Sequence, residues 1–278
     1  MAFPLPKSLT PSKVASFKDC ALAFRFSAID RLPEPPSPAA IKGTLVHRVL
    51  ERLFWELDAG ARSIDVALHF LGQESRRVFG GEEWSGLDVE AGQEEKFVAE
   101  ADKLIRNYFK LEDPNVVNVA GTELMLETKA GSMTLRGIID RLDLDDDGQL
   151  IVVDYKTGRT PGANFEYAKL GGVQFYAYLC EQVLGRRPVA VRLLYLQEPI
   201  SISTVPSQQS VKALQVKTSA VWTAVERACD REDFRPNPGK LCNWCSFHAY
   251  CPAQGGTLPV PAPATESTAV TQLAISAN

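Results

Sequence analysis

The spacing of apolar residues divides the chain into a helical part, a strand-like part and a mixed part. From Ile41 to Leu57, the residues Leu45, Val49, Leu53 and Leu57 recur every four positions, the stripe of an amphipathic helix. Ser12 to Cys20 reads as a shorter helix, with Thr10 or Ser12 as cap and Pro11 near its first turn. Between them Pro33, Pro35, Pro36 and Pro38 impose a loop. Further helices are expected at about 63–79 and 89–111. The period then falls to two. Residues 116–126, 133–144 and 150–157 read as strands, with Asp145-Asp146-Asp147-Gly148 as a tight turn between the last two. Residues 164–184 return to helix, 189–205 to one or two strands, and 208–230 to helix. This order predicts an α/β (α+β) fold, a central mixed sheet flanked by helices. A single domain over 1–252 is expected, with a helical part at about 40–112, a core at about 113–205 and a cysteine-rich region at 229–252. The Pro/Ala/Thr/Ser-rich stretch 253–278, with Glu266 as its one charge, is expected to be a disordered tail.

Composition changes this picture little. The 278 residues can bury a substantial core, and 45% hydrophobic with 23% charged residues is ordinary for a globular protein. No apolar run is long enough to span a membrane, and Met1 to Thr10 carries two prolines and no apolar stretch, so a cytoplasmic location is expected. A net charge of −4 runs against nucleic-acid binding, but the charges are unevenly spread. Residues 7–52 hold eight Lys/Arg against four Asp/Glu, 155–192 hold six against two, and 82–102 hold one against eight. A basic surface on one side and a solvated acidic face on the other are both permitted.

Two strand segments carry candidate chemistry, Gly137-Ile-Ile-Asp140-Arg141 and Val152-Val153-Asp154-Tyr155-Lys156-Thr157-Gly158. Alternation puts Asp154 and Lys156 on one face, with Leu150 and Val152 behind them. A turn about Asp147 pairs residues whose numbers sum to 294, so Asp140 is expected opposite Asp154. Two carboxylates ~5 Å apart at Cβ repel unless a cation sits between them. A divalent metal there, with a lysine ammonium beside it, is the equipment of phosphodiester hydrolysis. Two acids and a lysine scattered along exposed strands is the plainer alternative. A calcium loop over Asp143, Asp145, Asp147 and Asp154 is disfavoured by its strand flanks, by Ile151 at position nine and by Asp in place of Glu at position twelve. His47 is either a packing residue of its helix or a third metal ligand.

Cys242-Asn-Trp-Cys245 followed by Cys251 has metal-ligand spacing but lacks a fourth thiol. His248 would complete a zinc knuckle. Cys20 lies over two hundred residues away, and Cys180 and Cys229 sit in helical patterns where buried thiols are common.

Together Gly43…His47, Gly137…Asp140-Arg141, Asp154-Tyr155-Lys156-Thr157-Gly158 and Gln174-x3-Tyr178 resemble the PD-(D/E)XK nuclease superfamily over residues 10–252. Within it the chain looks like the RecB-like group that includes AddB-type and CRISPR-associated exonucleases. Ser16 to Phe26 is similar to that group's N-terminal cysteine motif. The resemblance implies a restriction-endonuclease-like core and a metal-dependent exonuclease, preferring single-stranded DNA ends, in repair or recombination. It implies Mg²⁺ or Mn²⁺ on His47, Asp140, Asp154 and the Tyr155 carbonyl, with Lys156 as the catalytic lysine. By the same resemblance Gln174, Tyr178 and Arg141 position DNA, and Cys20, Cys242, Cys245 and Cys251 hold a [4Fe–4S] cluster that staples the C-terminus. Ile139 departs from the proline of the superfamily's name, and Asp154 stands where Glu is the alternative. No Gly-x4-Gly-Lys-Ser/Thr loop is present, so a separate helicase subunit would be the motor. Two rival classes stay open, a non-catalytic DNA-binding or scaffold subunit and a zinc-bound regulatory module.

Overall fold

The computed structural model describes residues 3–87, 90, 92–160 and 166–259. Its centre is a five-stranded sheet in the order β1 (Val119–Ala130), β2 (Met133–Leu144), β3 (Leu150–Lys156), β4 (Ala190–Tyr195), β5 (Ile200–Thr204). Only the β3–β4 pair is parallel, so the sheet is mixed, as the element order predicts. The strand β3 is a nearly continuous apolar run because both of its faces are covered. Leu150 and Val152 join one core, with α1 (Pro11–Asp19), α2 (Ala21–Phe24), α7 (Glu166–Val183) and α8 (Gln208–Arg231). Ile151, Val153 and Tyr155 join the other, with α3 (Pro38–Trp55), α4 (Ile64–Phe79), α5 (Glu82–Ser85) and α6 (Gln93–Leu111).

Local chemistry sets the ends of these elements. Thr10 is the cap of α1, its hydroxyl accepting from the Lys13 amide at 3.2 Å with Pro11 at the first helical position. At the β2–β3 turn the Asp145 carboxylate accepts from the amides of Asp147 and Gln149, and Gly148 takes a φ of +69°. The acidic run is therefore turn chemistry, and the hairpin pairs Arg141 with Val153 through Leu144 with Leu150, each summing to 294. The β1–β2 turn is a two-residue loop at Gly131 and Ser132, with Gly131 at φ +65°. Residues 253–259, expected to open the tail, are held by a 3-10 turn and by the Gly256 and Thr257 amides donating to Cys251 and Ala249. The remainder of that stretch, 260–278, lies outside the described residues.

The edge of β2 that faces β3 has two partners. Leu9 pairs with its early part, donating to Thr134 and accepting from Arg136, while β3 begins only at Arg141. Residues 137–140 fall between. Here Gly137 lies under α7, and a Cβ added to it would come within 2.8 Å of Leu179 Cδ1 and 3.2 Å of the Tyr176 ring. Glycine is what lets the helix settle on the sheet at this point. Overpacking by one methyl should cost ~1–3 kcal/mol. We expect Gly137→Ala to lower the urea midpoint accordingly, and a midpoint equal to that of the parent would show that α7 has room to spare.

Candidate metal centre

Four elements deliver side chains to the place where β2 and β3 part. Asp154 and Lys156 lie on the α7 side of β3, alternating with Tyr155 on the other side, and form an ion pair. Asp154 is buried, whereas the Lys156 side chain is 41% exposed and reaches solvent. Asp140 does not pair with Asp154 across the ladder as expected, because the ladder ends one step earlier. Direct opposition of two carboxylates is repulsive, and the Asp140 carboxylate instead turns into the gap and accepts from the Tyr155 amide at 2.7 Å. The alternation of β2 breaks at this residue. Ile139 and Leu142 belong to the same core, while Arg141 stacks on Phe54 of the other at 4.5 Å.

From α3, His47 places Nδ1 3.6 Å from Asp140 Oδ2 and Nε2 3.1 Å from the Tyr155 carbonyl oxygen. The helix comes this close because Gly43, one turn earlier, has no side chain to strike Thr157, whose Oγ1 would lie 3.2 Å from an added Cβ. Glu123, which the sequence reading missed, completes the cluster. Ligand atoms of His47, Glu123 and Asp140 all lie within 4.8 Å of one another. Glu123 sits in β1 with a φ of +46°, a conformation that non-glycine residues seldom adopt and that strain-bearing sites often contain. The clue was in the first hairpin. A two-residue turn at Gly131-Ser132 gives pairs summing to 263, which sets Glu123 beside Asp140.

The electrostatics record a shortage of positive charge. Burial raises the Asp154 pKa, Lys156 opposes the shift and Asp140 reinforces it. Burial and the neighbouring Asp140 likewise raise Glu123. For His47, burial works against the charged form, but Asp140, Asp154 and Glu123 together outweigh it and the pKa goes up. The Tyr176 phenol, facing Asp154, Asp140 and Glu123, is pushed up by burial and by all three. Three carboxylates converge here on a lysine and an imidazole, a donor set of oxygens and one ring nitrogen that suits a divalent cation.

Two expected DNA contacts are corrected. Arg141 is fully buried. Its guanidinium donates to both Asp143 oxygens at 2.8 and 2.9 Å, to Glu112 at 2.5 Å and to the Tyr155 hydroxyl at 2.8 Å. It is therefore an anchor of β2 beneath β3, out of reach of any ligand, because the break in alternation turns it into the α3-side core. Tyr178 is buried in the opposite core. The α7 residue that meets the acids is Tyr176, about 200° round the helix from Tyr178. Gln174, one turn before Tyr178, is half-buried.

Away from the acidic residues, which do not line it, Cys20, Cys242, Cys245 and Cys251 share one cavity of about 420 Å³ with Leu22, Phe26 and Phe247. Cys20 occupies the extended break between α1 and α2, and short 3-10 turns present the other three. Among the described residues no three thiols approach within 4.8 Å of one another. His248 Nε2 is hydrogen-bonded to the Cys242 carbonyl. Cys180 and Cys229 stand apart as buried thiols, pushed up to about 12 and about 11 by burial.

Comparison with known proteins identifies the family. The model of the PD-(D/E)XK nuclease superfamily matches residues 8–252. No curated protein matches the chain by sequence. Among solved structures it is similar to a provisionally named exonuclease from Eubacterium rectale, with a TM-score of 0.51, 10% identity, and coverage of 86% of this chain and 87% of that one. It also matches the protein SSO0001 at a TM-score of 0.42 and 13% identity, over 90% and 88% of the two chains. Identity this low speaks to the fold alone.

Removing the buried Arg141 charge would leave Glu112 and Asp143 unpaired, at a cost of ~3–5 kcal/mol. We expect Arg141→Leu to unfold at a far lower denaturant concentration than the parent, with Arg141→Lys between them because it keeps the charge and loses the fork. A Leu variant as stable as the parent would mean that the network contributes nothing net.

Proposed function

The chain belongs to the PD-(D/E)XK nuclease superfamily, and on that premise we propose that it is a metal-dependent DNA exonuclease acting on single-stranded ends in repair or recombination. The observation that carries the reading is the meeting of Glu123, Asp140, His47, Asp154 and Lys156 where β2 and β3 separate. His47, Asp140, Asp154, the Tyr155 carbonyl and, as an addition, Glu123 would hold a Mg²⁺ or Mn²⁺ ion. When bound, such an ion offsets phosphate charge and makes hydroxide available at neutral pH.

The remaining work falls to the chain's own groups. Asp154, kept buried, holds the Lys156 ammonium at the mouth of the site, where it can donate to a phosphate oxygen or to the attacking water. The Tyr155 amide fixes the Asp140 carboxylate through Oδ2. Tyr176 closes the α7 side with a neutral phenol that can donate a hydrogen bond but adds no charge. Gln174 is left as the family motif's candidate contact to DNA.

Because the four thiols line one cavity and their segments are similar to the family's cysteine motif, we assign it a [4Fe–4S] cluster on Cys20, Cys242, Cys245 and Cys251. Its role would be structural, joining the first helices to the C-terminal turns across more than two hundred residues.

With protein purified without oxygen and end-labelled single- and double-stranded DNA, we expect Mn²⁺-dependent release of label, faster from single strands. Asp154→Ala and Lys156→Ala should each lose at least about a hundredfold in rate. Equal cleavage by parent and variants would locate the activity elsewhere. Cys20→Ala should emerge without the brown colour and iron of the parent and melt several degrees lower, whereas Asp154→Ala keeps both. A colourless parent carrying zinc would overturn the cluster.

A further inference from the structure

The β1–β2 ribbon has one covered face and one bare one. Leu124, Leu126, Leu135 and Ile139 point into the α7-side core. The residues that alternate with them point the other way, towards the side from which His47 approaches Asp140. There Met125 and Ile138, direct partners across the ladder, are 53% and 48% exposed. They stand two residues from Glu123 and Asp140 respectively, so an apolar step borders the candidate metal centre. Next along is Arg136, exposed, its Nε 3.1 Å from the Met125 sulfur and 3.4 Å from Glu127. Lys13 and Arg31 lie close by, and burial together with the two guanidiniums lowers the Lys13 pKa. Among the described residues Glu127 is the one carboxylate in ion-pair contact with any of these three cations.

Side by side, then, stand a cluster suited to a cation, two exposed apolar side chains and three basic groups. Isolated apolar residues on a surface need no explanation, but a pair at the lip of a site does. A folded protein partner would want a broader apolar area than one pair with a charged border. A single polynucleotide strand offers flat apolar bases and regularly spaced phosphates, which this sequence of surfaces matches.

We propose that the bare face of the β1–β2 ribbon is the track on which a single nucleic-acid strand leaves the metal centre. Met125 and Ile138 support the base beside the scissile phosphate, and Arg136, Lys13 and Arg31 take the phosphates beyond it. The assignment rests on the nuclease reading for its substrate and adds to it the direction and the footprint of the strand. A duplex would bring a second strand against the same narrow ribbon, so the track favours unpaired DNA.

The test uses the full chain, a fluorescein-labelled oligothymidine and chelator in place of divalent metal, so that binding is read without cleavage. Met125→Ala/Ile138→Ala should weaken binding about tenfold, the scale of one lost base contact. An abasic strand should bind the parent weakly and be indifferent to the double variant. Arg136→Gln should weaken both ligands and reduce the salt slope by about 0.7. Both apolar residues are exposed, and Met125→Gln/Ile138→Thr, which keeps strand-compatible side chains, guards against a folding artefact. Affinity within twofold of the parent in both double variants overturns the track. So does a change in oligomeric state without a change in DNA affinity, which would make the pair a contact between copies. A parent that binds in this way but never cuts refutes the nuclease reading and leaves the track standing. Cutting that is untouched by the apolar variants does the reverse.

Discussion

An interior strand that loses its neighbour must find other acceptors for its amides, and at Tyr155 that acceptor is the Asp140 carboxylate. The bond occurs where the β2–β3 ladder stops, one step beyond Arg141 and Val153. It places an acid in a gap of the sheet, with β3 paired to β4 on its far side and His47 arriving from α3. Everything else at the site follows from that gap. Asp154 and Lys156 line it from the α7 side, Tyr176 covers it, and Glu123 reaches it from β1 through an unusual backbone conformation. The charges gathered there are too many of one sign to be a stability device. Raised carboxylates and a raised imidazole gathered around Asp140 mark a site that favours positive charge.

The gap needs a rigid frame, and the frame is also ionic. Arg141 follows Asp140 immediately, yet it is spent entirely inside the α3-side core, bridging Glu112 of the α6 terminus, Asp143 of its own strand and the Tyr155 hydroxyl. Burial opposes its charge, and Tyr155, Asp143 and Glu112 more than offset that. One residue therefore ties β2, β3 and the helical layer together beside the reactive group. Tyr155 is held at both ends, by Arg141 at its hydroxyl and by Asp140 at its amide. Its carbonyl, facing His47, is thereby fixed in direction.

Much of this was legible from residue order. The hairpin register came from the Asp147 turn, and the shared face of Asp154 and Lys156 from alternation. The close approach of α3 rests on Gly43, whose role emerges only when Thr157 is seen opposite it. Alternation misled at Asp140 and Arg141, because a local break in β2 cannot be read from a strand whose residues are apolar or charged on both sides of it. Arg141 thus passed for a surface residue. That Tyr176 rather than Tyr178 faces the acids was not legible for a related reason, since helical phase does not reveal which face of a doubly covered helix meets the sheet. Glu123 carries no motif and is found only by pairing the first hairpin. The π-helical segment Arg25–Ile29 after α2 had no sequence signal at all.

The two ends of the chain bear on the same gap. Leu9 occupies the β2 edge just before it, accepting from the Arg136 amide. Eleven residues later Cys20, the cap that ends α1, forms one wall of the four-thiol cavity. Whatever fixes Cys20 to the turns at Cys242, Cys245 and Cys251 therefore also limits how far α1 and Leu9 can drift from β2. If Leu9 left, the amides of β2 would be free to seek β3, and in the same register the ladder would extend to the repulsive pairing of Asp140 with Asp154 that the native structure avoids. The cysteine set and the acidic site are built from separate residues. Through α1 and Leu9 both sets bear on one short edge of β2.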